Sequence, residues 1–462
     1  MLALKPSWPN PCTGQQTFPD EHSVWSCLPN FLLDSCAVAA TSFARGILRA
    51  PGAPPDARRL VEVTVACRLG VPVLSADSGG ESGRAAVSGP HGGLHYVICL
   101  VQIGGYRPTT LADFEIPKRY GIQQTIADTL GIGGIMRGLR TIPFLLELAR
   151  DMRELCPDAW LINYSNPLPI NQWALEEAGV RTVGLCHSVR RTARQLASYL
   201  DVPFQELDYL ATGINHMAFF LRLSHRGTDL YPRLRALLAE GRAPREDQVR
   251  FEMLRAFGAF VSESSFHFAE YVPYFLRKDR PELAARYALP IDEYLRRCER
   301  HEKQYAELRA TLNAGDGGSQ AARLIASDLD AESDEDAANI IHSLETGTVR
   351  RIHANVRNRG AIDNLPADCV VEVPCLVDRW GIRPAKVGPL PAHLAALIQT
   401  NVNVQRLTVE AAKTGERDTV CQAVMLDPRT AADLTLDEIR SLVDELLAAH
   451  ARWLPQFTEL AG

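Results

Sequence analysis

The stretch Ala159-Trp160-Leu161-Ile162-Asn163-Tyr164-Ser165-Asn166-Pro167 decides the fold of this chain. An apolar run passes directly into polar, turn-forming residues. That is the pattern of a short strand covered on both faces and ending in a loop. Upstream, Tyr96-Val97-Ile98-Cys99-Leu100-Val101 reads the same way and is closed by Gly104-Gly105. Downstream, residues 182–185 form a third such run. Between them lie helical patterns, at about 135–156 (carrying Leu139, Ile142, Leu145, Leu146, Leu148 and Met152), near 171–178 and near 191–200. The stretch from Asp128 to Gly134 reads as a flexible loop feeding the first helix. Strand and helix alternate as a βαβ series, which predicts a parallel sheet with ligands at the carboxyl ends of its strands.

Two blocks that follow strand-like runs carry metal-binding chemistry: Gly184-Leu185-Cys186-His187-Ser188 and Gly213-Ile214-Asn215-His216-Met217. Taken singly, Cys186 reads as a small buried apolar residue and His216 as a core histidine bonded to backbone. Taken together, a thiolate and an imidazole make a soft to borderline metal site, and two protein ligands leave positions open for a substrate.

The bulk properties exclude several classes. The 462 residues favour two or three domains, and the 46% hydrophobic content is that of a globular protein. A net charge of −6 argues against a nucleic-acid partner. Eleven cysteines, odd in number and without a CxxC pair, fit reduced thiols in a cytoplasmic protein. Neither a membrane span nor a signal peptide is read in the sequence. Residues 1–95 are rich in Pro, Gly, Ser and Arg, with strand-like runs only at 61–66 and 71–74. Residues 230–312 read as mainly helical, 328–336 as a solvated acidic run, 350–390 as holding strands such as 370–373, and 391–450 as long amphipathic helices.

The ordered blocks from about residue 97 onward resemble glycoside hydrolase family 4, most of all its α-galactosidase branch. They are Gly104-Gly105-Tyr106, the run from Gln124 to Gly131, Gly133-Gly134-Ile135-Met136-Arg137, Asn163-Tyr164-Ser165-Asn166-Pro167, the Cys186 and His216 blocks, Glu263-Ser264-Ser265, Glu270-Tyr271, and Asn401-Val402-Asn403-Val404-Gln405. The resemblance implies an α/β fold: a Rossmann-like NAD-binding domain followed by a mixed α/β, largely helical substrate and metal domain. It implies NAD and a divalent metal, usually manganese, as cofactors. NAD oxidises carbon 3 of the sugar, a base takes the acidified proton of carbon 2, the aglycone leaves, water adds and the hydride returns. This chemistry departs from the usual two-carboxylate glycosidases.

The residues take roles on that basis. Cys186 and His216 hold the metal. Tyr271 is the candidate base, which requires its phenol pKa to be depressed by a metal or cation; its bland reading is an aromatic wedge in the core. His187 stands where the phosphosugar branch carries Asp and is the candidate acid, or it orients the sugar. Asn166, Asn163 and Asp128 are candidate sugar-binding residues, against the readings of turn initiator and helix-capping loop residue. Gly104, Asn163 and Thr129 are the cofactor-binding candidates. Arg137 meets a cofactor phosphate or a subunit partner, or is a solvated helix arginine. Asn215 orients His216 or caps a turn.

The chain departs from the family at its start. The Gly-x-Gly-Ser loop that holds the NAD pyrophosphate is absent from the first residues, where Gly14 stands alone among Pro and polar residues. The domain reading is therefore a divergent or frame-shifted segment over 1–95 in place of the first half of the Rossmann unit. The remainder of that unit follows over 96–200, and the substrate, metal and oligomerisation domain over 201–462. The expected substrate is a small α-galactoside such as melibiose, with no nucleic-acid or membrane partner and a homodimer or homotetramer as the assembly. Competing readings are an α-glucosidase or α-glucuronidase of the same family, a plain NAD-dependent dehydrogenase, and an inactive remnant without NAD binding.

Overall fold

The structure, a computed structural model, describes residues 95–313 and 336–457 together with two short paired strands, β1 (Leu2–Ala3) and β2 (Thr64–Val65). β2 falls within the run expected at 61–66. The rest of the N-terminal segment, including the run at 71–74 and the questions of a missing glycine loop and a shifted frame, lies outside the described residues. So does most of the acidic run at 328–336.

The βαβ series is β3 (Tyr96–Cys99), α1 (Leu111–Arg119), α2 (Gly131–Leu155), β4 (Trp160–Asn163), α3 (Leu168–Glu177), β5 (Arg181–Gly184) and α4 (Ser188–Tyr199). A hairpin follows, β6 (Leu207–Ile214) and β7 (Met217–His225), then β8 (Thr228–Asp229), α5 (Tyr231–Ala239), α6 (Gln248–Phe257) and β9 (Phe260–Val261). Next come the single turn α7 (Ser265–Phe268), α8 (Glu282–Arg286), α9 (Glu293–Asn313) and α10 (Ala337–Thr346). The chain closes with β10 (Arg350–Arg357), β11 (Val370–Asp378), β12 (Gly381–Pro384), and the helices α11 (Ala392–Thr414), α12 (Arg417–Leu426), α13 (Pro428–Asp433) and α14 (Leu436–His450).

One sheet of ten strands carries the fold, in the order β3-β4-β5-β10-β11-β6-β7-β8 with β12 on β11 and β9 on β7. Only β3, β4 and β5 run parallel, as the apolar runs predict. β10 pairs antiparallel with β5 through Asn355 and Gly184, and every further pairing is antiparallel. The sheet is thus mixed and runs without a break across the boundary read at residue 200.

The loop reading for Asp128 to Gly134 needs correction, because helix α2 already begins at Gly131. Its glycines serve close packing. A Cβ on Gly133 would stand 2.4 Å from the Ala127 carbonyl oxygen, and one on Gly134 2.7 Å from that of Thr129. The absence of side chains lets the first turn of α2 press against the loop that carries Asp128. Residues 131–142 of α2 are buried on every side, as befits a helix with no solvent face. A buried ion cluster ties it to its neighbours: both terminal nitrogens of Arg140 donate to Asp113 of α1 at 3.0 and 2.6 Å, and His450 Nε2 of α14 lies 2.8 Å from the same carboxylate.

Candidate active site

Cys186 stands two residues beyond β5, just before α4. The Ser188 backbone N–H points to its sulfur at 3.5 Å, so the thiol sits at a helix N-terminus. Burial pushes it up to about 11, against a lowering influence from His187. His216 is presented differently. Ile214 pairs with Met217, leaving Asn215-His216 as the tight turn of the β6–β7 hairpin. His216 takes a φ of 65°, a left-handed conformation unusual for a side chain of this size. Such local strain concentrates at functional sites. The two side chains, distant in sequence, meet with Cys186 Sγ 3.3 Å from His216 Nε2.

Two further groups join them. Glu263 Oε2 lies 3.3 Å from the same His216 Nε2, and His267 Nδ1 lies 3.7 Å from Glu263 Oε1. His216, Glu263 and His267 each offer a ligand atom, all within 4.8 Å of one another. His267 reaches on to Asp128, with Nε2 3.1 Å from Oδ1. Burial alone would lower the His267 imidazole, but the Asp128 and Glu263 carboxylates flanking it push it up to about 10. Against its own burial, Asp128 is held well below the usual carboxylate range by His267, with Arg137 and His216 adding to the pull. His267 is therefore a cation held between two carboxylates.

Asp128 is the junction of the expected substrate residues. Asn166 Nδ2 donates to its Oδ2 at 2.8 Å, and the Thr129 hydroxyl donates to its Oδ1 at 2.7 Å. The loop bearing Asp128 is fixed from below by Glu270, whose carboxylate accepts backbone N–H groups of Thr125, Ile126 and Ala127 at 2.6 to 3.2 Å. Ala127, directly before Asp128, takes a φ of 54°. Tyr271, next to Glu270, is fully buried, and its hydroxyl lies 3.2 Å from His216 Nδ1. Burial first, and then the charges of Asp128, Glu263 and Glu270, push its phenol well above the usual value. This is opposite to the depressed value expected from the sequence, because the surroundings of the phenol are apolar and anionic.

The other expected residues are placed as follows. Asn163 ends β4 fully buried; its Oδ1 accepts the Ser165 N–H at 3.0 Å, while its Nδ2 has no partner among the described residues. Gly104 has a φ of 86°, and a Cβ there would stand 2.3 Å from Thr109 Cγ2, so that close approach requires glycine whatever else it binds. His187 directly precedes α4, with Nε2 3.3 Å from Arg191 on the next turn. Arg137 is buried, which excludes the solvated reading; its guanidinium lies over the Tyr294 ring at 5.1 Å and 4.0 Å from Asp128. Asn215 is fully buried in the hairpin turn beside Glu372 of β11. Burial raises the Glu372 carboxyl to about 7, with the neighbouring His216 opposing it.

Sequence reasoning missed the roles of Glu263, His267, Glu270 and Glu372. A signal for the first pair was present: Glu263-x-x-x-His267 has the spacing that puts two side chains on one helical face. Nothing local marks Glu372, which reads as one residue of an apolar strand.

The sequence matches the family described as "Family 4 glycosyl hydrolase" over residues 93–202, and its "C-terminal domain" over 211–430. It is 45% identical over 364 residues to an alpha-galactosidase of Bacillus subtilis, covering 78% of this chain and 82% of that one. It is 36% identical to an alpha-galactosidase of Rhizobium meliloti over 376 residues, covering 79% and 75%. The fold is similar to that of a 6-phospho-beta glucosidase of Thermotoga maritima solved with manganese, NAD+ and glucose-6-phosphate. The TM-score there is 0.60 at 22% identity, over 78% of this chain and 81% of the other. At that identity the likeness speaks to the fold alone.

Proposed function

The chain belongs to family 4 of the glycosyl hydrolases, and from that premise we propose that it hydrolyses terminal α-galactosides, melibiose among them. The observation that carries the reading is the meeting of Cys186 and His216 at 3.3 Å, together with 45% identity to an alpha-galactosidase along most of the chain.

The residues present suit both cofactors. A thiol and an imidazole converging from separate strands form a donor set for a divalent cation such as manganese. The unpartnered Asn163 Nδ2, buried at the carboxyl end of a parallel strand, offers a donor where NAD or the sugar would lie. The segment that would hold the pyrophosphate is outside the described residues. When bound, NAD takes and returns a hydride at carbon 3, and the cation stabilises negative charge on the sugar oxygens.

The side chains do the remaining work. Asp128, Asn166 and Asn163 bind sugar hydroxyls; the bond from Asn166 to Asp128 fixes those two side chains relative to one another. Tyr271 takes the proton of carbon 2. Its activation runs through His216. In the tautomer that leaves Nε2 free to hold a cation, Nδ1 would donate to the Tyr271 oxygen, which would favour the phenolate and oppose the burial and the three carboxylates. His187, directly after Cys186, protonates the leaving oxygen. We further take the protein to be a cytoplasmic homodimer or homotetramer. Every described cysteine is free, and none of the described helices is long and apolar enough to cross a membrane.

Hydrolysis of p-nitrophenyl α-galactoside, with NAD, manganese and a reducing agent each present or omitted, tests the proposal. Turnover that needs all three supports it. Faster hydrolysis of an α-glucoside or α-glucuronide in the same panel would assign a different sugar, and absence of NAD binding would mark an inactive remnant.

A further inference from the structure

We propose that Glu263 is a third protein ligand of the cation, so that Cys186, His216 and Glu263 bind one face of it. The inference rests on the reading of Cys186 and His216 as metal ligands and deepens it. Two groups crowd a single imidazole nitrogen: Cys186 Sγ and Glu263 Oε2 each lie 3.3 Å from His216 Nε2. That nitrogen has one proton or one lone pair to offer and cannot satisfy both at once. A cation between the three satisfies all of them. Metal–ligand bonds of roughly 2.0–2.3 Å separate neighbouring donors by roughly 3.0–3.6 Å, and the two spacings measured from His216 Nε2, to Cys186 Sγ and to Glu263 Oε2, fall in that interval.

The Glu263 carboxylate is oriented for this task. Its Oε1 accepts the Ser264 N–H at 2.7 Å and the Ser264 hydroxyl at 2.8 Å, which leaves Oε2 turned toward His216. The Tyr271 hydroxyl lies 3.2 Å from Nδ1, and in the tautomer in which Nδ1 donates to it the Nε2 lone pair is free for a cation. His267 belongs to the same cluster but is not a ligand in this arrangement, because its two nitrogens face Glu263 Oε1 and Asp128 Oδ1. It holds the ligand carboxylate in place instead. A thiolate and a carboxylate together would balance the charge of a divalent ion, and three protein ligands would leave positions open for substrate.

The test is binding of Mn2+ alone to the full-length, reduced, chelator-treated protein, read by loss of the free-ion electron paramagnetic resonance signal, with Co2+ spectra as a second readout. Glu263→Gln weakens Mn2+ binding by more than about tenfold. It also changes the Co2+ d–d bands while the thiolate-to-Co2+ charge-transfer band persists, which shows that the variant is folded and Cys186 still ligates. Glu263→Asp falls between the two. A Glu263→Gln protein with unchanged Mn2+ affinity and unchanged d–d bands overturns the proposal while leaving Cys186 and His216 as ligands. A parent protein that binds no Mn2+ and shows no thiolate band fails the underlying reading as well.

Discussion

The Tyr271 hydroxyl lies 3.2 Å from Nδ1 of His216, across the imidazole from the Nε2 atom that faces Cys186. The phenol and the Nε2 edge are thereby coupled through one ring. What binds at Nε2 decides the tautomer and with it the hydrogen bond that Tyr271 receives.

Tyr271→Phe removes the proton acceptor but leaves the donors at Nε2 intact. Turnover is expected to fall by about 10²–10⁴-fold, with Mn2+ affinity lowered by about 10–100-fold because His216 loses its Nδ1 partner. Exchange of the carbon 2 hydrogen with deuterated water, followed by NMR, checks the assignment: exchange persisting at the parent rate would place the base elsewhere.

Cys186→Ser exchanges a soft sulfur for a hard hydroxyl and removes one anionic ligand. Mn2+ titration calorimetry is expected to show affinity lower by at least about tenfold, and activity that no longer depends on a reducing agent. Normal turnover by this variant would end the metal reading.

Gly133→Ala places a methyl group 2.4 Å from the Ala127 carbonyl oxygen. Backbone cannot swing aside as a side chain does, so a loss of about 1–3 kcal/mol in stability is expected. Asp128, next to Ala127, moves with it, and KM for the galactoside rises. Thermal melts beside steady-state kinetics test both; an unchanged melting temperature would show that the first turn of α2 is looser than its packing indicates.

Glu270→Gln puts an amide among the N–H groups of Thr125, Ile126 and Ala127, leaving at least one of them without an acceptor. A loss of about 1–3 kcal/mol is expected, with substrate affinity reduced through the Asp128 loop and Mn2+ affinity retained. Equal losses of substrate and metal affinity would contradict this division.

The Asp113 cluster sets an acid limit. Burial favours the protonated carboxyl, but Arg140 and His450 outweigh it and hold Asp113 below its usual 3.8. A carboxylate depressed in the folded state adds stability above its unfolded pKa and loses it as the pH falls through the folded value. Urea midpoints are therefore expected to drop steeply below pH 3.8. Asp113→Asn is expected to be destabilised by about 3–5 kcal/mol at neutral pH and to lose part of this acid dependence. Parallel profiles for the two proteins would refute the assignment.

The parallel strands were legible because burial on both faces writes a continuous apolar run, as at residues 160–163 and 96–99. That Cys186 and His216 belong together was legible from residue type and from the polar text that follows each run, and the structure brings them to 3.3 Å. The glycines at 133 and 134 were misread as flexibility, because a sequence does not say whether a missing side chain gives freedom or allows contact.

Taken alone, the sequence determined the βαβ series and the family, since each depends on local pattern and residue chemistry, and it singled out Cys186 and His216 as candidates for a metal. Only the tertiary structure decided that Glu263 and His267 join them, that Glu270 anchors the Asp128 loop, and that the phenol of Tyr271 is pushed up rather than down. Those outcomes depend on distance, burial and neighbouring charge between segments far apart in the chain, and these exist only once the sheet and helices have packed.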